Sequence, residues 1–191
     1  SAGLLQDAAE GDTTKIGEAY VDLVSTLRLD APHIVDKLPV NYLYLPLILA
    51  ALPNARIVHV RRDPMDACLA IYKQLFADAY LYSYDPGELA RHYRRYLHLM
   101  DIWRDRFGAR FFEVDYEALV TEPEETLRPV LQYIGLSWND ACLDYHTRDS
   151  ATATASAVQV REAPHQRSVG HWRRFEAQLQ PVAAILGYTD D

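Results

Sequence analysis

The chain has 191 residues, of which 49% are hydrophobic and 24% charged, a composition typical of a folded globular protein. Its 27 acidic residues outnumber its 19 basic residues and give a net charge of −8, which disfavours binding to nucleic acids. Two cysteines are too few for a disulfide framework, and the longest apolar run, 42–53, is too short to cross a bilayer. We therefore expect one cytoplasmic domain over 1–191, with no membrane and no nucleic acid as partner.

Hydrophobic periodicity and turn signals predict an alternation of helices and strands along the chain. Helices are predicted at 14–28, 40–52, from Pro64 onward, at 86–107, 121–134, 138–145 and 172–186, and strands at 33–36, 56–60 and 110–114. Asp63 and Asp85 each precede a proline, which marks the start of two of these helices. The alternation indicates an α/β fold, in which the three strands lie parallel in one sheet with helices on both faces.

The segment RIVHVRRDPMDACLAIYKQLF, residues 56–76, carries the sharpest functional signal. A hydrophobic strand ends in Arg61 and Arg62, and a capped helix begins immediately after it. At the carboxyl edge of a parallel sheet, an arginine side chain and a helix N-terminus together favour the binding of a phosphate. The alternative interpretation is a pair of surface arginines that form ion pairs with Asp63 and Asp66.

Two further segments contain candidate anion ligands. Lys37 follows the strand at 33–36, where it is either a ligand of a phosphoryl or sulfuryl oxygen or an ordinary solvated lysine. The segment 155–174 combines hydroxyl groups with cations, among them Ser156 and Arg167. Because 147–171 has no regular hydrophobic period, the sequence predicts a lid-like loop there, with an exposed linker as the alternative.

Other chemistries are not favoured by the sequence. The spacing of the seven histidines matches no metal-binding motif, so no metal is expected. Cys68 lies in an apolar helix and is interpreted as a core thiol rather than a nucleophile. The sequence contains no G-x-x-x-x-G-K-[ST] motif, which argues against a nucleotide kinase.

Five segments, taken in order along the chain, resemble the motifs of sulfotransferases: DKLPVNYLYL, LPNARIVHVRRDPMDACLAIYKQLF, FEVDYEALVTEP, TASAVQVR and SVGHWRRFE. The resemblance is strongest to the bacterial group related to tyrosylprotein sulfotransferases and runs from Ile16 to Leu186. It implies a P-loop NTPase-like parallel sheet and the transfer of a sulfuryl group from 3′-phosphoadenosine 5′-phosphosulfate (PAPS) to a hydroxyl or amine, protein tyrosine included. It also implies a small-molecule or peptide acceptor and a tetratricopeptide-repeat segment, fused or separate, as partners.

The resemblance implies a role for five individual residues. Arg62 matches the arginine that binds the 3′-phosphate of PAPS, and Arg167 lies in the segment that closes over that phosphate. Tyr116 resembles the tyrosine that contacts the adenine. Lys37 and Ser156 match the lysine and the serine that stabilise the transferring sulfuryl group, so these two are the predicted catalytic residues.

The sequence departs from the family in two places. Ala70 stands where relatives have a serine that also binds the 3′-phosphate, so one hydroxyl donor is missing. Nothing in 1–14 resembles the strand and the Gly- and Ser-containing loop that bind the 5′-phosphosulfate, so the chain is expected to lack the amino-terminal part of the domain. The family's catalytic base follows that loop, which leaves Glu113, Asp115 and Glu117 as weak candidates. A non-catalytic domain that binds a nucleotide or a protein is therefore the alternative function.

Overall fold

The computed structural model describes residues 11–26, 32–77, 79–144 and 166–188. Contacts between Cα atoms divide the chain into two compact units, Ser1–Arg56 and Ile57–Asp191. The described part of the first unit contains helix α1 (Thr13–Ser25), a 3₁₀ helix (Pro39–Tyr44) and helix α2 (Leu45–Ala51). The predicted helix at 40–52 is thus a 3₁₀ turn that continues into a short α-helix.

Within the first unit, α1 packs closely against α2 because Gly17 has no side chain. A Cβ atom at Gly17 would lie 2.0 Å from the carbonyl oxygen of Ala51, closer than any real contact. Asp12 begins α1 by accepting a hydrogen bond from the Thr14 amide at 3.1 Å. A glycine is therefore required where these two helices meet.

The strand predicted at 33–36 is wrong. Residues 33–38 contain no strand, and the side chains of Ile34 and Val35 are 51% and 90% exposed. The carboxylate of Asp36 instead accepts a hydrogen bond from the Tyr20 hydroxyl at 2.9 Å. Two adjacent β-branched residues give only a local preference for extended backbone, whereas a strand also needs a neighbour that takes its backbone hydrogen bonds.

The second unit contains the sheet and most of the helices in the described part of the chain. Its elements are β1 (Ile57–Arg61), α3 (Pro64–Tyr72), α4 (Pro86–Phe107), β2 (Phe111–Asp115), α5 (Tyr116–Thr121), α6 (Pro123–Ile134) and α7 (Glu176–Leu186). Its described residues also form short 3₁₀ helices at Leu81–Tyr84, Gly108–Arg110, Asp140–Cys142 and His171–Phe175. The predicted strands at 56–60 and 110–114 are each found one residue further along.

Local capping chemistry explains where these helices begin and end. As predicted, Asp85 begins α4 by accepting from the Glu88 amide at 2.7 Å, and Gly108, with a φ of 42°, ends it. The helix predicted to begin at Thr121 begins instead at Pro123, because proline fits the first helical position and needs no hydrogen-bond acceptor. The hydroxyl of Thr121 donates to the Glu117 carbonyl at 2.9 Å, within α5.

Strands β1 and β2 pair in parallel, as predicted, with Ile57 opposite Phe111. Helix α4 covers one face of β2, where its Arg104 reaches Glu113. Helix α6 covers the other face, where the rings of Tyr133 and Phe112 stack with centroids 5.1 Å apart. Two parallel strands with helices on both faces make this an α/β fold, as predicted from the alternation of elements.

The core of the second unit lies between α3, α4, α7 and the 3₁₀ helix before α7. Its buried side chains include those of Met65, Cys68, Leu69, Leu89, Tyr93, Trp172, Leu179 and Val182. Burial raises the pKa of the Cys68 thiol to about 12, which keeps the thiol protonated and confirms its interpretation as a core residue. Within the described ranges, no helix combines the length and the apolar character needed to cross a membrane.

Candidate functional site

The carboxyl edge of the sheet brings Arg62 and Tyr116 together. Arg61 and Asp115 are the last paired residues of β1 and β2, so the next residue of each strand leaves the sheet at the same edge. The Cζ atom of Arg62 lies 4.9 Å from the centroid of the Tyr116 ring. This distance is within the range of a cation–π interaction, which stabilises the guanidinium over the face of the ring.

The hydrogen bonds of Arg62 leave one of its donors without a partner. Its Nη2 donates to the Ser168 carbonyl at 2.7 Å, and its own carbonyl accepts from the Tyr93 hydroxyl at 3.3 Å. Its Nε is buried and has no hydrogen-bond partner within the described chain. An unpaired buried donor costs about 1–3 kcal/mol, so the site favours a ligand that accepts this hydrogen bond.

Two backbone amides at the start of α3 are already bound by the protein itself. Pro64 has no N–H group, and Asp63 Oδ1 accepts from the Asp66 amide at 2.8 Å. The amide of Asp63 donates to Glu117 Oε1 at 3.0 Å. The Arg62 Nε, rather than these two amides, is therefore a donor without a partner in the described chain.

The arginines at the end of β1 do not follow the alternative interpretation, in which both pair with Asp63 and Asp66. Arg61 pairs across the strands with Asp115, where both side chains are about half exposed. Asp66 is 1% exposed and accepts hydrogen bonds from the backbone amides of Gly170 and Trp172, at 2.6 and 2.9 Å. The sequence suggested Asp66 only as a possible ion-pair partner of the nearby arginines, because its actual partners lie about a hundred positions away.

The three carboxylates near the end of β2 are all engaged by protein groups. Glu113 accepts from Arg104 and also contacts His59 Nδ1 at 3.0 Å, and the Arg104 guanidinium holds its pKa below the usual range. Asp115 pairs with Arg61, and Glu117 binds the amide at the start of α3. Among the described residues, no three His, Cys, Asp or Glu side chains are grouped so as to hold a metal ion.

The other predicted site residues are placed as follows. Lys37 is exposed in the extended segment 33–38 of the first unit, and Ala70 is exposed in α3 of the second. Arg167 is exposed at the start of the turn 167–170, next to the residue that Arg62 contacts. Ser156 lies outside the described residues, as does the part of the predicted lid that precedes 166.

A comparison with known families identifies the class of the protein. Residues 4–140 match the sequence profile of the family described as the "Sulfotransferase family". Because this match covers most of the chain, the chain belongs to the sulfotransferase family. The predicted membership of the sulfotransferase family is thereby confirmed, and the matched residues include the first three of the five motifs.

Individual relatives extend the comparison. An uncharacterized protein of Aquifex aeolicus (strain VF5) is 36% identical over 170 residues, which cover 87% of this chain and 22% of that protein. A protein-tyrosine sulfotransferase of Drosophila melanogaster is 21% identical over 192 residues, which cover 91% of this chain and 38% of that protein. The chain therefore spans well under half the length of either relative.

A solved structure shows the same fold. The sulfotransferase domain of the olefin synthase of Synechococcus PCC 7002 superposes with a TM-score of 0.64 at 17% identity. The match covers 92% of this chain and 65% of that chain. It supports the α/β fold with a parallel sheet, independently of the sequence motifs.

Proposed function

We propose that the chain binds PAPS and takes part in transferring its sulfuryl group to a hydroxyl or amine. The observation that carries this proposal is the buried Nε of Arg62, a cationic donor without a protein partner in the described chain, at the edge where β1 and β2 end. A phosphate oxygen is a strong acceptor for such a donor. Because sulfotransferases use PAPS as the sulfuryl donor, we propose that this phosphate is the 3′-phosphate of PAPS.

In the proposed complex, Arg62 binds the 3′-phosphate and Tyr116 contacts the adenine. The Tyr116 ring already lies beside the guanidinium, so both groups address neighbouring parts of one nucleotide. Arg167 supplies a second positive charge from the adjacent turn. Local cations matter here because the chain as a whole carries a charge of −8, which repels an anionic nucleotide.

The proposed reaction is an in-line displacement at sulfur. The acceptor oxygen or nitrogen forms a bond to sulfur while the bond from sulfur to the 5′-phosphate oxygen breaks, and adenosine 3′,5′-bisphosphate leaves with the bonding electrons. Lys37 and Ser156 are proposed to stabilise the charge that develops on the sulfuryl and leaving oxygens, as fixed donors do in phosphoryl transfer. The acceptor's proton goes to a general base, for which Glu113, Asp115 and Glu117 are weak candidates because protein groups already engage all three.

Acceptor, partner and location are part of the proposal. The likeness to the Drosophila protein-tyrosine sulfotransferase favours a phenolic hydroxyl, presented by a small molecule or a peptide. A tetratricopeptide-repeat segment, on the same or a separate polypeptide, is the proposed partner, and the cytoplasm is the proposed location.

A second candidate function is nucleotide binding without transfer. Ala70 in place of a serine removes one proposed phosphate ligand, and the engagement of all three carboxylates leaves no base among them. These two observations favour a domain that keeps the nucleotide site but lacks catalysis. The two functions differ in turnover and not in binding, so both predict the same behaviour of Arg62.

The binding step is tested by titrating the chain with adenosine 3′,5′-bisphosphate in a calorimeter. Arg62→Ala is expected to weaken binding at least thirtyfold, since losing a charge-assisted hydrogen bond to a desolvated group costs about 2–5 kcal/mol. Arg61→Ala is the matched control, because this neighbouring arginine already pairs with Asp115, and its affinity is expected to change less than about twofold. No binding by the unmodified chain, or equal losses in the two variants, would contradict the proposal.

The transfer step is tested with radiolabelled PAPS and a tyrosine-containing peptide, on the chain supplied with a segment that provides the 5′-phosphosulfate-binding loop. Lys37→Ala is expected to lower kcat about 10²–10³-fold while changing nucleotide affinity little, because its charge acts on oxygens that become negative only as the bond breaks. Equal losses in affinity and kcat would make Lys37 a ground-state ligand of the nucleotide. Tight nucleotide binding without any turnover would support the non-catalytic function instead.

A further inference from the structure

The carboxylate of Asp66 is the most deeply buried charged group described in the chain. It is 1% exposed, lies in the first turn of α3, and accepts one hydrogen bond from the Gly170 amide and one from the Trp172 amide. Carboxylates are almost never buried to this extent unless they are paired. The two N–H groups therefore compensate its desolvation and tie α3 to the backbone of residues 170–172.

Two side chains of the segment 56–76, Arg62 and Asp66, hold the turn at 167–170. Arg62 donates to the Ser168 carbonyl at 2.7 Å, while Asp66 accepts from the Gly170 amide at 2.6 Å. Within the turn, the Val169 amide donates to the Gln166 carbonyl at 3.0 Å, and Gly170 has a φ of 65°. This closed set of bonds fixes the backbone that carries Arg167.

The far end of this segment is anchored in the core. Trp172 is buried, and its ring packs edge-to-face on Tyr188 with centroids 5.5 Å apart. The Tyr188 hydroxyl in turn donates to Asp63 Oδ2 at 2.7 Å. The hydrogen bonds of Asp66 therefore lie between the buried Trp172 and the exposed Arg167. They fix the backbone that joins these two residues.

We propose that Asp66 is a positioning residue for the nucleotide site, which holds the turn of Arg167 and Ser168 so that Arg62 and Arg167 address one anion. This inference rests on the proposed function, in which that anion is the 3′-phosphate of PAPS. Two guanidinium groups repel each other without a ligand, and a backbone that is fixed beforehand lowers the cost of bringing both to one anion. A preorganised turn removes the ordering cost from the binding step and so increases affinity.

A double-mutant cycle with adenosine 3′,5′-bisphosphate tests this role. Asp66→Asn keeps the size of the side chain, but its amide oxygen can accept only one of the two N–H groups while its NH₂ faces the other. Arg167→Ala is expected to weaken binding about tenfold or more in the unmodified chain and less than about threefold in the Asp66→Asn background. An equal effect of Arg167→Ala in both backgrounds would overturn the positioning role.

Asp63→Asn is the matched control for this cycle. Asp63 caps the same helix and also bonds to the C-terminal segment, through Tyr188, but it does not contact the turn amides. A general loosening of the fold would therefore change the Asp63→Asn background as much as the Asp66→Asn background. We expect Arg167→Ala to keep its full effect in Asp63→Asn, and loss of that effect in both backgrounds would reduce Asp66 to a stabilising residue.

Amide hydrogen exchange on the unmodified chain gives a test that does not depend on the folding of any variant. The amides of Gly170 and Trp172 are expected to exchange about a hundredfold or more slowly relative to an unstructured peptide, and more slowly again with the nucleotide bound. Exchange of both amides at the unprotected rate would contradict the proposal.

Failure of this inference is distinguishable from failure of the proposed function. If Arg62→Ala and Arg167→Ala both leave nucleotide affinity unchanged, the nucleotide site itself is wrong, and the positioning role falls with it. If both variants weaken binding but the cycle with Asp66→Asn is additive, only the positioning role is wrong.

Discussion

Two polar groupings lie on the same pair of strands, and they differ in whether each buried hydrogen-bond donor has an acceptor. The first, which we name the face network, lies under α4 and consists of His59, Tyr96, Arg104 and Glu113. The second, which we name the edge site, lies at the carboxyl ends of the strands and consists of Arg62, Tyr116 and the Ser168 carbonyl. Each grouping contains an arginine: Arg104 lies beside a carboxylate, and Arg62 lies beside a tyrosine ring. The groupings differ in whether the hydrogen-bond donors of the arginine have acceptors.

The face network is closed. Arg104 donates to both oxygens of Glu113, at 2.5 and 2.9 Å. Because a carboxylate only accepts, the contact of 3.0 Å to Glu113 assigns the hydrogen to His59 Nδ1, and Nε2 then accepts from the Tyr96 hydroxyl. Burial lowers the pKa of His59 more than Glu113 raises it, so the imidazole is neutral near pH 7.

The edge site is open by contrast, because Arg62 Nε is buried and has no acceptor in the described chain. A network in which every donor has an acceptor contributes stability and has no capacity left for a ligand. A buried donor without an acceptor lowers the stability of the protein. When an anion binds and accepts this hydrogen bond, the stability rises again. Mutations in the face network should therefore act on stability, and mutations in the edge site on binding.

The largest expected effect on stability comes from Glu113→Ala. It removes the acceptor of Arg104 and of His59 at once, so we expect the free energy of unfolding to fall by about 2–3 kcal/mol in urea titrations. Affinity for adenosine 3′,5′-bisphosphate should change less than about threefold in the folded variant. A larger loss of affinity than of stability would show that the face network belongs to the nucleotide site.

The pH dependence of stability should report the same network. The pKa of His59 is lower in the folded chain than its ordinary value of 6.5, so the unfolded chain binds more protons, and stability falls as the pH drops below about 6.5. The pKa of Glu113 is also lowered, so its contribution is present above its ordinary value of 4.5 and is lost as the pH falls through the lower folded value. As the pH falls, stability should therefore decline over two adjoining pH ranges, the upper one due to His59 and the lower one due to Glu113.

His59→Gln is expected to reduce the slope of unfolding free energy against pH between 7 and 5, measured by urea titration at each pH. The slope should not vanish, because burial lowers the pKa of His92 as well. The lower range, which belongs to Glu113, should remain. An unchanged slope between pH 7 and 5 would show that His59 binds the same number of protons in the folded and the unfolded chain, which contradicts a lowered pKa in the folded chain.

The smallest expected effect on stability is that of Arg61→Ala. Its ion pair with Asp115 joins side chains that are 51% and 48% exposed, and such pairs contribute about 0–1 kcal/mol. We expect a thermal melting temperature within a few degrees of the unmodified chain. A loss as large as that of Glu113→Ala would mean that charge at the sheet edge, rather than closure of a network, decides stability.

The sequence predicted the features that depend on near neighbours. Asp63, Asp85 and Gly108 begin and end helices as expected, because capping bonds connect residues within a few positions of each other. The same reliance on local pattern produced the wrong strand at 33–36, where nothing in four residues reports whether a partner strand is present. The start of α6 at Pro123 was missed because Thr121 offered an equally good local signal.

The candidate site was only partly predictable. Arg62 and Tyr116 could be named from their family motifs, and their proximity followed from parallel pairing of the strands. The sequence could not predict the spare donor on Arg62 or the burial of Asp66. Both side chains are placed by hydrogen bonds to backbone groups of residues 168–172. A hydrogen bond to a backbone amide puts no requirement on the identity of the residue that donates it, and so leaves no sequence pattern.

The span of the bonds to the C-terminal segment has a consequence for synthesis on the ribosome. Arg62 is joined to Ser168 across 106 positions and Asp63 to Tyr188 across 125, whereas the rungs between β1 and β2 span 54. A nascent chain that has released β2 can pair its strands and begin to bury its core. It cannot complete the edge site, because the turn that faces Arg62 and the tyrosine that meets Asp63 are still to be translated. If the edge site binds a nucleotide as proposed, binding becomes possible only when translation of this region is almost finished.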